Sequence, residues 1–387
     1  MSGITKDFLQ DIAGKVGGQS DLDWSEICEL HKVELAPDTV RKAGLGIKWA
    51  NDLGMLKLGA DTEDGKQCSS EMRIAAQKFY DQRREYNKLL IQQARDEMMT
   101  DALVAAANRL NETKPLRVEP CGFASINSEH EAVVVFSDWH YGQISCNIFN
   151  EYSPEICRER LKRVVREVAM QCEYKHPRVL HVVLLGDMIE GCLRASSRVA
   201  SSELACDQIM HVAELIAEAV AYFCDVAPRI RIYSTYGNHG RMVQKYEDSI
   251  HSDNAERLIP WWIRQRFSGT PGIEVVEDNF HELIYFECCG EKICATHGDL
   301  DKEPTSALKL DTILQNHFGT GIDHLILGHM HEYKTGDAIG KNVVCCGSLC
   351  GTDEYAKNKR MFSKPSQLLL MFRDGHGLEY VSEIAAE

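Results

Sequence analysis

Two features that would place this 387-residue chain in a membrane or in a disulfide-rich class are missing from its sequence. No apolar run approaches the roughly 18 residues that a membrane-spanning helix needs, and the amino terminus lacks the apolar core of a signal peptide. The 15 cysteines include no C-x-x-C pair, and adjacent pairs such as Cys288-Cys289 lie in strand-like segments, where neighbouring side chains point to opposite faces. We therefore expect a soluble, cytoplasmic protein without a membrane partner, whose cysteines are free and mostly buried.

Positive charge is also scarce. The 43 Lys and Arg residues are outnumbered by 58 Asp and Glu residues, which gives a formal net charge of −15. Phosphate contacts dominate the affinity of proteins for nucleic acid, so this balance argues against a surface that binds polyanions everywhere. The negative net charge still allows phosphate to bind at one local site, because two bound divalent cations would cancel four negative charges there.

What the sequence does contain is a series of metal-binding side chains, each just after a short aliphatic and β-branched run that predicts a buried strand. The runs are VVVFS, VVLLG, IYSTYG, ICAT and LILG. The side chains that follow them are Asp138, His140, Asp187, Asn238, His297, His329 and His331. Because ligands gather beyond the carboxyl ends of strands in α/β sheets, we expect these side chains to converge. Asp, His and Asn donors suit two divalent metal ions, with Mn²⁺ favoured and Zn²⁺, Fe or Mg²⁺ as alternatives.

The ordered motifs D-x-H, GD, GNH, H and G-H-x-H resemble those of the calcineurin-like metallophosphoesterases over about residues 130 to 375. The resemblance implies an α/β fold in which helices flank a two-sheet β-sandwich, the four-layer αββα arrangement. It also implies two metal ions that share one carboxylate. One ion would be held by Asp138, His140, Asp187 and His331, and the other by Asp187, Asn238, His297 and His329. Hydroxide bridging the ions would attack phosphorus, with His239 as the general acid.

Departures from the family pattern narrow the expected substrate. Many relatives carry Asp or Glu directly after GNH to orient the histidine, but this chain has Gly240 there. Either Glu190 or Asp299 would then have to orient His239. The Asp-Arg-Gly motif of the Ser/Thr phosphatases is replaced by Glu190-Gly191, which disfavours a protein phosphatase. Three arginines near the ligands, Arg194, Arg198 and Arg241, would either contact the substrate phosphate or be ordinary solvated surface residues.

These residues predict a metal-dependent phosphodiesterase that acts on nucleic acid, with DNA favoured. Its character would be closest to the SbcD- and Mre-type DNA repair exonucleases and to related bacterial and phage phosphoesterases. Trp139 and Tyr141, on either side of His140, would either stack a base or simply pack the edge of the sheet. The alternative is a phosphoesterase for a small substrate, such as a cyclic nucleotide or a phosphomonoester, which the net acidity favours.

The amino-terminal third lies outside the resemblance, and its pattern is helical. Residues 1–65 predict a small helical module, in which Asp23 and Glu26 form a capping box. A third helix is expected to start at Pro37 and to be limited in length by Gly44 and Gly46. Either a helix-turn-helix that reads DNA or an ordinary three-helix bundle would give this pattern.

The rest of the chain divides into three predicted segments. Residues 66–112 predict one long helix, and its stretch 68–110 would either form a homodimer arm or lie on the catalytic domain. Residues 113–130 predict a linker, and residues 131–387 predict the metallophosphoesterase catalytic domain. Within that domain we expect helices over 154–173 and 203–225, and strands over 323–328, 342–346, 367–373 and 378–382.

Overall fold

The computed structural model describes almost all of the carboxyl-terminal part of the chain and selected segments before it. The described residues are 5–33, 35–52, 77–87, 90, 91, 94, 97, 98, 109, 127–191, 201–243, 245, 249–276, 282–301 and 305–387. The chain divides into two compact units, Met1–Glu97 and Met98–Glu387. Among the described residues, no helix is both long and apolar enough to cross a membrane.

The described part of the first unit contains α1 (Lys6–Val16), α2 (Trp24–Leu30) and α3 (Pro37–Asp52), together with a helical segment over 77–87. The capping box is present at the start of α2. Asp23 Oδ1 accepts from the backbone N–H of Glu26 at 2.8 Å, and Glu26 Oε2 accepts from the backbone N–H of Asp23 at 2.7 Å. The three helices enclose a small core that consists of Phe8, Ile12, Ile27, Cys28 and Val40.

Helix α3 continues through Gly44 and Gly46 to Asp52, so the expectation that these glycines limit it is wrong. A Cβ atom on Gly44 would lie 2.8 Å from Cγ2 of Ile12, which is closer than packed carbon atoms approach. Glycine here allows α3 to pack closely on α1, and that contact outweighs its low helix propensity. Of the predicted long helix, residues 77–87 are helical; most of its other positions, and residues 113–126 of the predicted linker, lie outside the described residues.

Two sheets form the framework of the second unit. Their strand orders are β13-β12-β1-β4-β5-β6 and β10-β11-β9-β8-β7, and β2 and β3 form a separate hairpin. The strands are β1 (His130–Phe136), β2 (Ser145–Asn147), β3 (Asn150–Tyr152), β4 (Val179–Leu184), β5 (Ile230–Ser234), β6 (Ile273–Val275), β7 (Ile284–Cys288), β8 (Glu291–Thr296), β9 (His324–Leu327), β10 (Lys334–Asp337), β11 (Asn342–Cys345), β12 (Ser366–Arg373) and β13 (Gly377–Ala385).

Helices cover the outer faces of both sheets. They are α4 (Pro154–Lys175), α5 (Ala205–Phe223), α6 (Leu258–Arg266) and α7 (Thr305–Phe318), while the short α8 (Glu354–Lys359) lies beside β2 of the hairpin. The first three share a core with the six-stranded sheet, α7 shares one with the five-stranded sheet, and a further core joins the inner faces of the two sheets. The predicted αββα fold is confirmed, and the helices and late strands expected from the sequence correspond to α4, α5, β9, β11, β12 and β13.

Strand direction brings the ends of distant segments to one side of this sandwich. In the six-stranded sheet β1, β4 and β5 run parallel, so that Phe136, Leu184 and Ser234 are neighbours at their carboxyl ends. In the other sheet β8 and β9 also run parallel, with Thr296 opposite Leu327. The loops that leave these five strands therefore start side by side within each sheet.

Candidate metal centre

The loops after β1, β4, β5, β8 and β9 carry all seven predicted ligands, and the structure brings these side chains together. Hydrogen bonds between loops fix their positions. The backbone N–H of Asp138 donates to the carbonyl of Gly186 at 3.1 Å, and that of His140 donates to the carbonyl of Asp187 at 2.9 Å. The two sheets are joined where the backbone N–H of His329 donates to Asp138 Oδ2 at 2.9 Å.

One group of donor atoms gathers around the loop after β1. His140 Nε2 lies 3.1 Å from His331 Nε2, and His331 Nε2 lies 3.3 Å from Asp138 Oδ1. Donor atoms of Asp138, His140 and Asp187 lie within 4.8 Å of one another. Asp138 is completely buried. Burial opposes its ionisation, but the positive charge of His331 outweighs this and holds the pKa of Asp138 well below its usual range.

A second group shares Asp187 with the first. His297 Nε2 lies 3.2 Å from His329 Nδ1, 3.3 Å from Asn238 Oδ1 and 3.3 Å from Asp187 Oδ2. The other ring nitrogen of His297, Nδ1, lies 2.7 Å from the carbonyl oxygen of Leu185. This contact directs Nε2 toward the other donors, as outer hydrogen bonds commonly do for a metal-binding histidine.

These donors fit divalent metal ions. Ligand atoms that each lie about 2.0–2.2 Å from one ion are separated from each other by roughly 3.0–3.5 Å. The separations given above fall in that range, and His140 Nε2 and Asp138 Oδ1 are slightly farther apart, at 3.8 Å. Three buried atoms of this cluster, Asp138 Oδ1, His140 Nδ1 and Glu190 Oε2, form no hydrogen bond with good geometry among the described residues. Their contacts are ion-pair distances of 3.3 Å, between His140 Nδ1 and Glu190 Oε2 and between Asp138 Oδ1 and His331 Nε2. Buried polar atoms are usually hydrogen-bonded, so this group of donors is one that a metal ion can complete.

Backbone conformation is unusual at the same positions. Outside glycine, ten described residues have a positive φ, and five of them are predicted ligands. Those five are Asp138 (52°), His140 (44°), Asp187 (49°), His329 (63°) and His331 (57°). This left-handed conformation is unfavourable for residues with a side chain, and such strain concentrates at functional sites.

Glu256 is a buried residue that the sequence analysis missed, and it holds the two loops that carry Asp187 and Asn238. Its carboxylate accepts the backbone N–H groups of Asp187 at 3.1 Å, Met188 at 2.6 Å and Gly237 at 2.8 Å. Burial and the neighbouring charge of Asp187 raise the pKa of Glu256 to about 7, whereas the backbone donors favour its ionised form. The loops approach so closely that a Cβ on Gly237 would lie 2.1 Å from Asp187 Oδ1.

The predicted general acid, His239, lies beside this cluster and is held by Glu190. Its Nδ1 is 3.0 Å from the backbone carbonyl of Glu190 and 3.5 Å from Glu190 Oε2. Burial opposes protonation of His239, but Asp187 and Glu190 outweigh it and raise the pKa to about 9. Of the two orienting groups considered from the sequence, Glu190 contacts His239, while Asp299 lies 3.3 Å from His251.

Of the three arginines predicted to contact substrate, the structure describes one. Arg194 and Arg198 lie outside the described residues. Arg241 donates from Nε to the carbonyl of Val243 at 3.2 Å and also from Nη1 to the carbonyl of Asn238, so its guanidinium supports the loop that carries a predicted ligand. The predicted role of Arg241 in substrate binding stays a prediction.

Both aromatic neighbours of His140 are fully buried, which favours the packing interpretation over base stacking. The indole Nε1 of Trp139 donates to Gln367 Oε1 at 2.9 Å, and the same oxygen accepts the backbone N–H of Ser137 at 2.9 Å. The hydroxyl of Tyr141 contacts Glu203 Oε1 at 3.3 Å. Neither ring is available to a substrate.

The donor cluster opens into a cavity of about 810 Å³. Its floor contains His140, Asp187, Asn238, His239, His329 and His331. Part of its wall is formed by α8 and the residues after it, including Tyr355, Arg360, Met361 and Phe362. A substrate in this cavity would reach both groups of donors and His239.

The chain is similar to several known proteins. A family model described as calcineurin-like phosphoesterase matches residues 132–357. The SPbeta prophage-derived uncharacterized protein YonJ of Bacillus subtilis (strain 168) is 22% identical over 377 residues, which cover 92% of this chain and 90% of that protein. Zinc-complexed Vps29 of Entamoeba histolytica is 16% identical, with 66% of this chain and 99% of that chain covered and a TM-score of 0.30. An archaeal phosphodiesterase is 15% identical, with 66% and 99% covered and a TM-score of 0.33.

The family match spans more than half of the chain and contains all seven predicted ligand positions, from Asp138 to His331. The likeness to the two solved structures is too distant to bear on function. The match and the gathered donors agree with the resemblance seen in the sequence. The chain belongs to the calcineurin-like phosphoesterase family.

Proposed function

We propose that this protein is a binuclear metal-dependent phosphodiesterase that hydrolyses nucleic acid, with DNA as the favoured substrate. The observation that carries the proposal is the pair of donor groups that share Asp187 at the floor of one cavity. Two metal ions at a shared carboxylate are the usual arrangement for displacement at phosphorus. A character close to the SbcD- and Mre-type exonucleases is part of this proposal, and Mn²⁺ is the proposed metal, with Zn²⁺, Fe or Mg²⁺ as alternatives.

A pair of divalent cations supplies activated water at neutral pH and neutralises the charge of a bound phosphate. The ligands proposed for them are the seven side chains of the two donor groups. His239 would protonate the leaving oxygen. Contact with Glu190 occupies its Nδ1, so Nε2 remains as the nitrogen that can give a proton to a substrate in the cavity.

The exposed side chains that line the cavity support a nucleic acid over a phosphomonoester, whereas the volume of the cavity admits either. Small-ligand sites have volumes of roughly 300–1,000 Å³, and this cavity, at about 810 Å³, is in the upper part of that range. Its wall carries large exposed side chains, with 63% of Tyr355 and 58% of Phe362 accessible to solvent. The net charge of −15 favours the alternative, a phosphoesterase for a small substrate such as a cyclic nucleotide.

The amino-terminal segments enter this proposal as accessory elements. Residues 1–65 would contribute DNA binding if α2 and α3 act as a helix-turn-helix. The helix predicted over 68–110 would join two copies into a homodimer. Direct tests are the DNA affinity and the solution mass of the intact protein compared with a variant that lacks residues 1–112.

The function is tested by incubating the intact protein with Mn²⁺ and labelled single- and double-stranded DNA, and separately with bis(p-nitrophenyl) phosphate and a cyclic nucleotide. We expect DNA cleavage that weakens steeply as salt concentration rises. Turnover of the small diesters with DNA left intact would move the assignment to the alternative. Stoichiometric metal without hydrolysis of any of these compounds would contradict both.

His239→Ala tests the general acid. We expect full metal content and a loss of about 10²–10⁴-fold in the cleavage rate of DNA, whose alkoxide leaving group needs a proton. Hydrolysis of bis(p-nitrophenyl) phosphate should fall less, because p-nitrophenolate leaves without protonation. His317→Ala, on the exposed face of α7, is the matched control. Equal losses on both substrates would exclude the role in proton transfer.

A further inference from the structure

The segment from Asp353 to Ser363 forms one wall of the cavity and carries a cluster of side chains that the family motifs do not explain. Tyr355, Arg360, Met361 and Phe362 all line the cavity. Tyr355 is 63% exposed, Met361 48% and Phe362 58%. Large apolar side chains that are exposed together beside a metal centre indicate a surface that binds a ligand or another macromolecule.

Arg360 is the one lysine or arginine among the described residues that line the cavity. Besides Asp187 and Glu190, three acids line it, and each has a partner: Glu332 pairs with Lys334 at 2.8 Å, Glu354 pairs with Lys357 at 2.5 Å, and Asp353 caps α8 by accepting from the backbone N–H of Ala356 at 2.7 Å. The guanidinium of Arg360 forms no ion pair with any residue that the structure describes. It is therefore available to a phosphate, for which its planar donor arrangement is well suited.

The wall is held firmly to the loop that follows the predicted ligand His140. The hydroxyl of Thr352 donates to the carbonyl of Ser363 and accepts that residue's backbone N–H, both at 3.0 Å. Asn147 Nδ2 donates to the carbonyl of Thr352 at 3.0 Å. The ring of Phe362 meets the ring of Phe149 edge to face, with centroids 6.0 Å apart. These contacts fix Phe362 and the two ends of the segment beside the metal centre. The ring of Tyr355 is contacted by Nζ of Lys359, which lies 5.9 Å from the ring centroid.

We propose that this wall binds an unpaired strand of nucleic acid, with bases stacked on Phe362 and Tyr355 and a neighbouring phosphate held by Arg360. The inference rests on the proposed function and narrows its substrate to single-stranded DNA or RNA and to unpaired ends. A ring can stack on a base only when the face of that base is accessible, which pairing and stacking within a duplex prevent. Stacking is insensitive to base identity, so little sequence preference is expected.

The first test measures affinity and cleavage separately. A fluorescent single-stranded phosphorothioate oligonucleotide, which resists hydrolysis, reports the dissociation constant in the presence of Mn²⁺. Phe362→Ala and Tyr355→Ala should each weaken binding of the single strand about tenfold, with a smaller effect on a blunt duplex. Phe362→Trp should retain binding. Tyr174→Ala, which removes an 82% exposed ring on α4, is the matched control and should change nothing.

Arg360 is tested by salt dependence. Loss of one phosphate contact lowers the slope of log affinity against log salt by about 0.7 for a single strand. We expect that decrease for Arg360→Ala, a normal slope for Arg360→Lys, and a normal slope for the control Arg166→Ala on the exposed side of α4. Melting temperature and metal content show whether each variant is folded.

The outcomes separate this inference from the proposed function. A wild-type protein that cleaves DNA, together with folded variants of Phe362, Tyr355 and Arg360 that bind the single strand as the wild type does, would overturn the inference alone. Equal or tighter binding of a blunt duplex would also overturn it. A wild-type protein that hydrolyses bis(p-nitrophenyl) phosphate but neither binds nor cleaves a single strand would overturn both the inference and the nucleic-acid part of the proposed function.

Discussion

Strands β1 and β4 have a buried cluster of acidic and histidine side chains at each end, and the two clusters differ in how their charge is balanced. Beyond the carboxyl ends lie the ligands around Asp138 and Asp187. Near the amino ends lie Glu131 and His181, with Cys288 beside them. Donor atoms within each cluster approach to 4.8 Å of one another, so proximity alone does not distinguish a metal centre from a structural cluster.

The amino-end cluster is balanced by protein groups. Glu131 Oε1 accepts from Arg178 Nε at 2.8 Å, and Glu131 Oε2 accepts the backbone N–H of Cys289 at 3.1 Å and lies 3.3 Å from His181 Nε2. The other nitrogen of His181 is 3.2 Å from the hydroxyl of Tyr233. Arginine supplies the fixed positive charge, and the donors are paired.

The carboxyl-end cluster contains no such arginine among the described residues. The ion-pair partners of Asp138, Asp187 and Glu190 there are all histidines. Three of its buried atoms contact these histidines or Glu190 only at ion-pair distance and form no hydrogen bond within the part of the chain that the structure describes. An unbalanced group of buried donors is what a metal ion can complete, since isolated buried charge is costly.

Asp187→Asn should have the largest effect, because Asp187 belongs to both donor groups. The amide keeps the size of the side chain but cannot supply negative charge to two cations. We expect loss of at least one bound ion and a fall in hydrolysis of bis(p-nitrophenyl) phosphate on the order of 10³-fold. Elemental analysis and steady-state rates measure both. Glu131→Gln is the matched change in the amino-end cluster and should leave the metal content unchanged. Loss of metal from Glu131→Gln would contradict the conclusion that only the carboxyl-end cluster binds metal.

Glu256→Gln should have the next largest effect, because it weakens the support of the carboxyl-end loops while leaving every ligand in place. Part of the carboxylate that accepts the N–H groups of Asp187 and Gly237 becomes an amide donor. We expect metal affinity to fall about 10–100-fold, with activity restored by high metal concentration. Titration of activity with Mn²⁺ measures this, and Glu218→Gln on the exposed face of α5 is the control. A defect that excess metal fails to rescue would show that Glu256 acts in another way.

Glu256 is a residue whose role could not be predicted from the sequence, in contrast to the ligands. The ligands could be predicted because each follows an aliphatic strand in a recognisable order, so that local pattern and strand direction together place them. Glu256 lies in a short 3₁₀ turn at Ala255–Arg257, and its partners are 19 and 69 residues away. No periodic pattern marks such a residue, because its importance comes from loops that meet only in the folded chain.

The burial of the aromatic rings of Trp139 and Tyr141 beside the metal centre could not be predicted either, because it depends on residues that are distant in sequence. Trp139 and Tyr141 stand next to His140 in sequence, yet the partner that fixes Trp139 is Gln367, 228 residues away. The exposed rings that line the cavity, Tyr355 and Phe362, lie more than 200 residues from His140 in a segment without a family motif. The sequence therefore left stacking and packing open for Trp139 and Tyr141, and their burial in the folded chain favours packing, whereas Tyr355 and Phe362 are exposed.

Arg178→Ala tests the amino-end cluster and should affect stability rather than metal binding. It leaves the buried carboxylate of Glu131 without its arginine. The Arg178 side chain is 29% exposed, so we expect a loss of about 1–3 kcal/mol in the free energy of unfolding, less than for a fully buried pair. Arg231→Ala breaks an exposed pair with Glu274 and should cost only about 0.2–1 kcal/mol. Urea denaturation measures the free energy of unfolding of both variants. Reduced metal content in Arg178→Ala would contradict the conclusion that the amino-end cluster has no part in metal binding.

The smallest expected effect is the pH dependence of the same cluster. Burial opposes ionisation of Glu131, but hydrogen bonds from His181 and Arg178 outweigh it and lower the pKa from 4.5 to about 2. A carboxyl group with a lowered pKa in the folded state stabilises the protein above its unfolded pKa, and this contribution disappears as pH falls toward the folded value. The stability difference between wild type and Glu131→Gln should therefore be constant above about pH 5 and shrink between pH 4.5 and 2. Urea denaturation at pH 6 and pH 3 measures this difference in each protein; because both retain the same carboxyl-end ligands, their subtraction removes the titration of that centre. A difference that stays constant, or grows, on acidification would mean that the charge of Glu131 is not what holds the amino ends of β1 and β4 together.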